Sequence, residues 1–151
     1  GVICVDIPPE EDDALGPALR AAEIAPIRLA TPTTDDQRLP AVIQGSEGFL
    51  YYVAVAGITG MQQAAIESIE ANVSRIKRST DIPVAVGFGL SQPEHVRQVG
   101  EWADAAVVGS ALVDVIAREA DSPDLVATVE RYVRGLRAPI PGDAQGGASV
   151  T

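Results

Sequence analysis

The stretch that decides the fold is Val84-Ala85-Val86-Gly87-Phe88-Gly89, together with Ala105-Ala106-Val107-Val108-Gly109-Ser110-Ala111 further along the chain. Each is a short apolar run that ends at glycine, and the residues between the two runs have the spacing of one amphipathic helix. The runs are therefore predicted to be successive parallel strands, because strands buried on both faces carry continuous apolar sequence. Glycine turns at the carboxyl ends of such strands, beside a helix N-terminus, are typical of phosphate binding.

The rest of the chain repeats this alternation of strand and helix. Strands are predicted at 2–5, 26–30, 48–55, 84–86 and 105–108. Helices are predicted over 10–24, after a cap at Thr33 or Thr34, over 66–76, from a Ser91/Glu94 capping box with Pro93 in its first turn, over 112–116, and from Ser122-Pro123 to 136. Strict alternation of this kind implies a parallel sheet with right-handed crossovers.

Two parallel architectures fit the alternation. A doubly wound sheet that binds a dinucleotide has its G-x-G-x-x-G turn after the first strand, where this chain has Asp6-Ile7-Pro8. The glycines instead follow the last three strands, and a short helix follows the final one, as in the phosphate site of a (β/α)8 barrel. We therefore predict the α/β class and the (β/α)8 TIM-barrel family, here as a partial barrel of about five parallel β/α units.

This partial barrel is predicted to occupy residues 1–138, and residues 139–151, rich in Pro, Gly, Ala and Ser, are predicted to be a disordered tail. An apolar strand pattern begins at once after Gly1, without a preceding helix, so we expect the later portion of a longer protein. An open remnant of a barrel would leave both edge strands and the inner face of the sheet exposed.

Composition restricts the partners and the chemistry. The formal net charge of −10 makes nucleic acid and anionic membranes poor partners, so a phosphate must be held by local amides and helix ends. The single cysteine, Cys4, is expected to be a small buried hydrophobe, and no metal site is expected. His95 is expected to be a solvated helix residue. No spanning segment or signal peptide is found, which predicts a soluble cytoplasmic protein.

The ordered set of motifs resembles the α subunit of tryptophan synthase, from its fourth barrel strand to its end, and covers the chain to about Ala138. The resembling segments are Val5-Asp6-Ile7-Pro8-Pro9-Glu10-Glu11, Ala30-Thr31-Pro32-Thr33-Thr34, Gly48-Phe49-Leu50-Tyr51-Tyr52-Val53, Gly57-Ile58-Thr59-Gly60, Gly87-Phe88-Gly89 and Val108-Gly109-Ser110-Ala111. The resemblance implies retro-aldol cleavage of indole-3-glycerol phosphate to indole and glyceraldehyde 3-phosphate. It also implies an α2β2 complex with a β subunit that carries pyridoxal phosphate, and no cofactor in this chain.

The resemblance also implies roles for particular residues. The phosphate contacts would be Gly60, Gly89, Gly109 and Ser110; Tyr51 would line the active site, Phe88 would flank the indole, Thr59 would help close a loop over the substrate, and Asp6 would lie near the β subunit. Glycine suits the first role because it lets the main chain approach an anion. From the residues alone, a tyrosine in a strand such as Tyr51 is more often a core aromatic.

Two departures from the family pattern stand out. Ala54 and Val55 occupy positions where the family commonly has serine and often arginine. The family's proton-shuttling glutamate and indole-facing aspartate belong to the second strand and the loop after it, outside the resembling segment. Glu10 and Glu11 are adjacent at a helix start and are expected to be solvated. Since acid–base chemistry needs a positioned proton carrier, the chain alone is expected to be inactive.

Two alternative interpretations remain open at this point. One is another phosphate-binding barrel enzyme, such as those of histidine biosynthesis or thiazole formation, which share the glycine turns. The other is a non-catalytic half-barrel that assembles with a second copy or another chain to cover its edges.

Overall fold

The computed structural model describes residues 1–54, 63–87 and 89–137 of the chain. The predicted loop Gly57-Ile58-Thr59-Gly60, Phe88 and the tail at 139–151 lie outside these residues. The described part contains a five-stranded sheet with its strands in chain order, and all four neighbouring pairs are parallel. The predicted α/β class and its five parallel units are confirmed.

The strands are β1 (Val2–Ile3), β2 (Pro26–Ala30), β3 (Leu50–Val53), β4 (Val84–Gly87) and β5 (Ala105–Ala106). The helices are α1 (Leu15–Ala21), α2 (Leu39–Ile43), α3 (Gln63–Lys77), α4 (Pro93–Val99), α5 (Ser110–Arg118) and α6 (Leu125–Leu136), with a short 3-10 helix at Pro9–Glu11 before α1. Within the described ranges, no helix is long and apolar enough to cross a membrane.

The hydrophobic core lies between one face of the sheet and the helices α2, α3 and α4. Leu50 and Tyr52 of β3 point into it, as the alternation of strand residues predicts, and are at most 1% exposed. The helical spacing predicted for α3 is also confirmed, because its four apolar positions are all buried: Ile66, Ile69, Val73 and Ile76.

Asp104 fixes the register between β4 and β5 at the start of both strands. Its carboxylate accepts hydrogen bonds from the Val84 amide and the Lys77 ammonium, each at 2.8 Å. Partial burial acts to raise the pKa of Asp104, but these two bonds outweigh it and leave the pKa below its usual range. The carboxylate is therefore charged while it joins α3, β4 and β5.

Three of the predicted helix starts differ from the structure, two of them because of side-chain hydrogen bonds. The predicted helix at 10–24 is broken near Asp12, whose carboxylate accepts the Gly16 amide at 2.7 Å. Before α2, the hydrogen-bond acceptor is Asp35 and not Thr33 or Thr34. The Asp35 carboxylate accepts hydrogen bonds from the amides of residues 37 and 38. The Ser91/Glu94 capping box is absent: Gln92 is the N-cap of α4, without a side-chain cap, and is extended because it precedes proline.

The first strand is shorter than predicted, and two expectations about burial are wrong. As expected for the edge strand of an open sheet, β1 is exposed, with Val2 at 37% and Ile3 at 42%, and among the described strands it pairs only with β2. Cys4 is accordingly half-buried rather than buried. His95 is half-buried rather than solvated, since it lies one turn before the buried Val99 on the same face of α4.

A buried ion pair joins the segment before α1 to β2, the strand next to the edge of the sheet. Arg28 of β2 pairs with Asp12, and their side chains are only 10% and 2% exposed. The Gly16 amide and the Arg28 guanidinium hold the pKa of Asp12 below its usual range. The pair therefore stabilises the folded chain only while the carboxylate is ionised.

Arg28→Met is expected to lower the free energy of unfolding substantially, because it leaves a buried carboxylate without its counter-charge. Arg38→Met is the matched control, since Arg38 pairs with Glu10 at the surface and such pairs contribute at most about 1 kcal/mol. Urea unfolding measures both variants. Equal losses would contradict the assigned importance of the buried pair.

The same pair predicts the direction of a pH dependence. Because folding lowers the pKa of Asp12, its contribution is fully present above about pH 4 and is lost as the pH falls through the lower, folded value. Asp12→Asn should remove this part of the acid sensitivity in the same urea experiment.

Candidate phosphate site

The glycine turns after β4 and β5 follow two neighbouring strands that pair in register. Val86 pairs in register with Ala106 on the neighbouring strand. Gly89 lies three residues beyond Val86, and Gly109 lies three residues beyond Ala106. Because neighbouring parallel strands are about 4.8 Å apart, we expect both residues at the same edge of the sheet.

Both turns have open space where a side chain would be. A Cβ added to Gly89 or Gly109 would meet no heavy atom within 4 Å. Gly89 has φ +65°, a conformation that favours glycine. Gly109 has φ −111°, which other residues adopt, so the backbone conformation alone does not require glycine there. An anion could approach the main chain at both positions.

The turn after β5 also supplies unpaired donors. Gly109 is the N-cap of α5, and its carbonyl accepts the amides of Leu112 and Val113 at 2.9 and 3.1 Å. The amides of Gly109, Ser110 and Ala111 have no partner in the described part of the chain. They lie at the positive end of the dipole of a nine-residue helix, beside the exposed Ser110 hydroxyl. This arrangement can bind a phosphate.

Tyr51 lies on the face of the sheet opposite the hydrophobic core. It pairs with Ala85 in register and is half-buried, whereas its neighbour Tyr52 is the core aromatic. The expectation from the residues alone, that Tyr51 is a core side chain, is therefore wrong. Its position on the face that a barrel would enclose agrees with the role that the resemblance implies.

Gly87 is a residue of this site that the sequence analysis missed. A Cβ at Gly87 would lie 2.8 Å from Cε2 of the Tyr51 ring, so the phenol rests directly on the glycine. The available signal was that Gly87 ends an apolar strand, where glycine can mark a close approach of another group. Gly87 thus sets the position of the Tyr51 ring.

The acidic side chains near the carboxyl ends of the strands already have other partners or are solvated. Glu10 pairs with Arg38 at 3.2 Å, and Asp36 pairs with Arg75 at 2.6 Å. Glu11, like Asp6, is exposed, which confirms the expectation of a solvated position for Glu11. Over 1–54, 63–87 and 89–137, no group of three or more His, Cys, Asp or Glu side chains could hold a metal ion.

Three of the predicted site residues, Thr59, Gly60 and Phe88, lie outside the described residues, and their roles stay predictions. The described members of the predicted set are Tyr51, Gly89, Gly109 and Ser110. All four lie on β3, β4 and β5 or directly after them, and these strands are neighbours in the sheet.

Comparison with known proteins identifies the family. The family model described as "Tryptophan synthase alpha chain" matches residues 1–138. The chain belongs to the tryptophan synthase alpha chain family. The alpha chain of Erythrobacter litoralis is 72% identical over 116 residues, which are 77% of this chain and 45% of that protein. The alpha chain of Rhizorhabdus wittichii is 63% identical over 139 residues, which are 89% of this chain and 51% of that protein.

Solved structures of the alpha chain agree with the fold. The Legionella pneumophila alpha subunit is 31% identical, with a TM-score of 0.77, over 89% of this chain and 49% of that one. A chain from the tryptophan synthase a2b2 complex of Pyrococcus furiosus is 33% identical, with a TM-score of 0.79, over 90% of this chain and 54% of that one. The predicted resemblance to the tryptophan synthase alpha chain and the barrel-type α/β fold are confirmed.

The chain spans about half the length of the curated relatives it matches. The assignment of this half to barrel strands four to eight stays a prediction from the motifs. The family match does not support the alternative of an enzyme of histidine biosynthesis or thiazole formation.

Proposed function

We propose that this chain supplies the phosphate-binding part of a tryptophan synthase alpha chain, which as a whole cleaves indole-3-glycerol phosphate to indole and glyceraldehyde 3-phosphate. The observation that carries the proposal is the pair of open glycine turns after two strands in register, with unpaired amides at the start of α5. Gly89, Gly109 and Ser110 hold the phosphate, and Gly60 completes the set. Tyr51, Phe88 and Thr59 line and close the pocket.

In this proposal, the residues of this chain bind and orient the substrate but do not move its protons. The amides neutralise the phosphate locally, which matters because the net charge of −10 repels anions at longer range. A fixed phosphate holds the rest of the substrate over the inner face, within reach of the Tyr51 hydroxyl. Retro-aldol cleavage also needs a proton acceptor and a proton donor, which the remaining part of the protein supplies.

The exposed apolar side chains support the proposal of a partial barrel over residues 1–138. The large hydrophobic residues that are exposed within the described ranges are Val2, Ile3, Val5, Ile24, Val113, Ile116, Val126 and Val133. They lie in the first strand–helix unit and the segment just after it, or on α5 and α6 beyond the last strand. The two ends of the sheet are therefore the surfaces that the remaining units of an eight-stranded barrel would cover.

The cellular context follows from the family. We propose a partner β subunit in an α2β2 complex, with pyridoxal phosphate bound there and no cofactor in this chain, in the cytoplasm. The Pyrococcus furiosus relative was solved as a tryptophan synthase a2b2 complex, which supports the partner assignment.

A substitution at Gly109 tests the phosphate site. We use a reconstituted barrel, defined as this chain joined to the part of the Rhizorhabdus wittichii alpha chain that it does not match. Gly109→Val should weaken substrate binding about ten- to a hundredfold, because the side chain blocks donors that bind a charged group. Position 109 is preferred to position 89, where φ +65° would add backbone strain.

Arg97→Ala is the matched control for this test, since Arg97 is exposed on the outer helix α4 and, among the described residues, forms an ion pair only with Glu101, at 3.6 Å. It should leave the affinity for indole-3-glycerol phosphate unchanged. Equal effects of the two substitutions would count against the phosphate site.

A second candidate is a non-catalytic half-barrel that pairs with a second copy. The same exposed ends of the sheet favour it, because self-association would also cover them. Analytical ultracentrifugation of this chain alone separates the two: a stable dimer with cooperative unfolding supports the second candidate.

A further inference from the structure

A hydrogen bond joins the last helix to the turn that carries Gly89. The Tyr132 hydroxyl of α6 donates to the Ser91 carbonyl at 3.2 Å, between residues 41 positions apart in the chain. Both side chains are half-buried. Ser91 lies only two residues after Gly89, and the intervening Leu90 is 1% exposed in the core.

The same helix packs against the element that carries the other glycine turn. α6 contacts both α5 and α4. A cavity of about 500 Å³ where these helices meet is lined by Val115 of α5, Ser91 before α4, and Tyr132 and Leu136 of α6, among others. α6 thus contacts α4 and α5, the helices that follow the turns at Gly89 and Gly109.

The turn at Gly89 needs such support because its own sequence does not restrict its backbone conformation. Glycine has the widest range of backbone conformations, and a Cβ at Gly89 would have no neighbour within 4 Å. Leu90 anchors the segment by an apolar contact, which is not directional. The bond from Tyr132 fixes the direction of a peptide group next to the turn.

We infer that Tyr132 is a positioning residue for the phosphate site: its hydroxyl, through the Ser91 carbonyl, holds the Gly89 turn where its amide faces the same anion as the first turn of α5. The inference rests on the proposed function. It assigns to α6, on the helical side of the sheet, the task of keeping two separate turns at a constant spacing.

Tyr132→Phe tests the inference, because it removes the hydroxyl and keeps the ring. In the reconstituted barrel, KM for indole-3-glycerol phosphate should rise about three- to tenfold with kcat unchanged, as expected for the loss of one hydrogen bond that supports ground-state binding. In this chain, hydrogen exchange of the His95 and Val96 amides, which donate to the Gln92 carbonyl next to Ser91, should accelerate, while exchange in the core of β3 and α3 stays the same.

Thr128→Val is the matched control: it removes a hydroxyl from the same helix and the same cavity but has no bond to Ser91. It should leave KM and the exchange of the His95 and Val96 amides at their original values. If Tyr132→Phe behaves like Thr128→Val while Gly109→Val still weakens binding, the inference is overturned and the proposed function stands. If Gly109→Val also has no effect, the proposed function itself fails, and the inference fails with it.

Discussion

Indole release from indole-3-glycerol phosphate is expected to be undetectable with this chain alone and to appear when the chain is combined with the unmatched part of the Rhizorhabdus wittichii alpha chain. The reason is chemical. No carboxylate of the described residues is available as a proton carrier beside the glycine turns: Asp12 and Glu10 are paired with arginines, and Asp35 accepts two loop amides. The loops that follow β4 and β5 contain no acidic residue.

The two parts should also associate physically, because each would cover apolar surface at the ends of the other's sheet. Val5 is 75% exposed at one end and Val126 is 79% exposed at the other. Indole formation is followed by its absorbance or fluorescence, and association is followed by sedimentation. The control is each part by itself at the same concentration. Turnover at ordinary enzymatic rates by this chain alone would contradict the assignment of the proton chemistry to the other part.

Gly87→Val is expected to displace the Tyr51 ring and to destabilise the chain by about 1–3 kcal/mol, the range typical of overpacking in a well-packed site. The added Cβ would lie within 3 Å of two ring carbons of Tyr51, closer than real side chains come. In the reconstituted barrel, the same change should lower activity strongly, since in the proposed function the phenol would leave the position in which it faces the substrate.

A second substitution distinguishes this contact from a general intolerance at position 87. Tyr51→Ala removes the ring and should recover most of the stability that Gly87→Val loses, so the double-mutant cycle should show strong coupling. Gly135→Ala is the control, because a Cβ there meets nothing within 4 Å and alanine favours a helix. Additive effects of the two substitutions at 51 and 87 would show that the ring does not rest on the glycine.

The sequence predicts the regular parts of this fold well. The bounds of β2 are those of the structure, and the buried face of α3 is the predicted one. Both signals are local, because a short run that is apolar except for Arg28 and a repeat of three and four residues reflect burial directly. The glycines at 89 and 109 are visible for the same reason, since each ends an apolar run.

Tertiary contacts decide the parts that the sequence misses. The break before α1 depends on Arg28, a residue of the next strand, which draws Asp12 out of a helix. The half-buried position of Cys4 depends on the place of the neighbouring strand β1 at the edge of the sheet, and the importance of Gly87 depends on a ring from β3. None of these partners is close in sequence, so no periodicity or cap signal could reveal them.

The bonds that Asp104 makes to the first residue of β4 and to α3 have a consequence at the far rim of the sheet. A slip of one residue between β4 and β5 would move one turn along the strand by about 3.3 Å and reverse which face each side chain occupies. The paired main chains therefore keep both turns at a constant distance from Asp104, at the opposite end of the strands. In the proposed function, the rim loops can change their side chains during evolution while the spacing of the amides that face the phosphate stays the same.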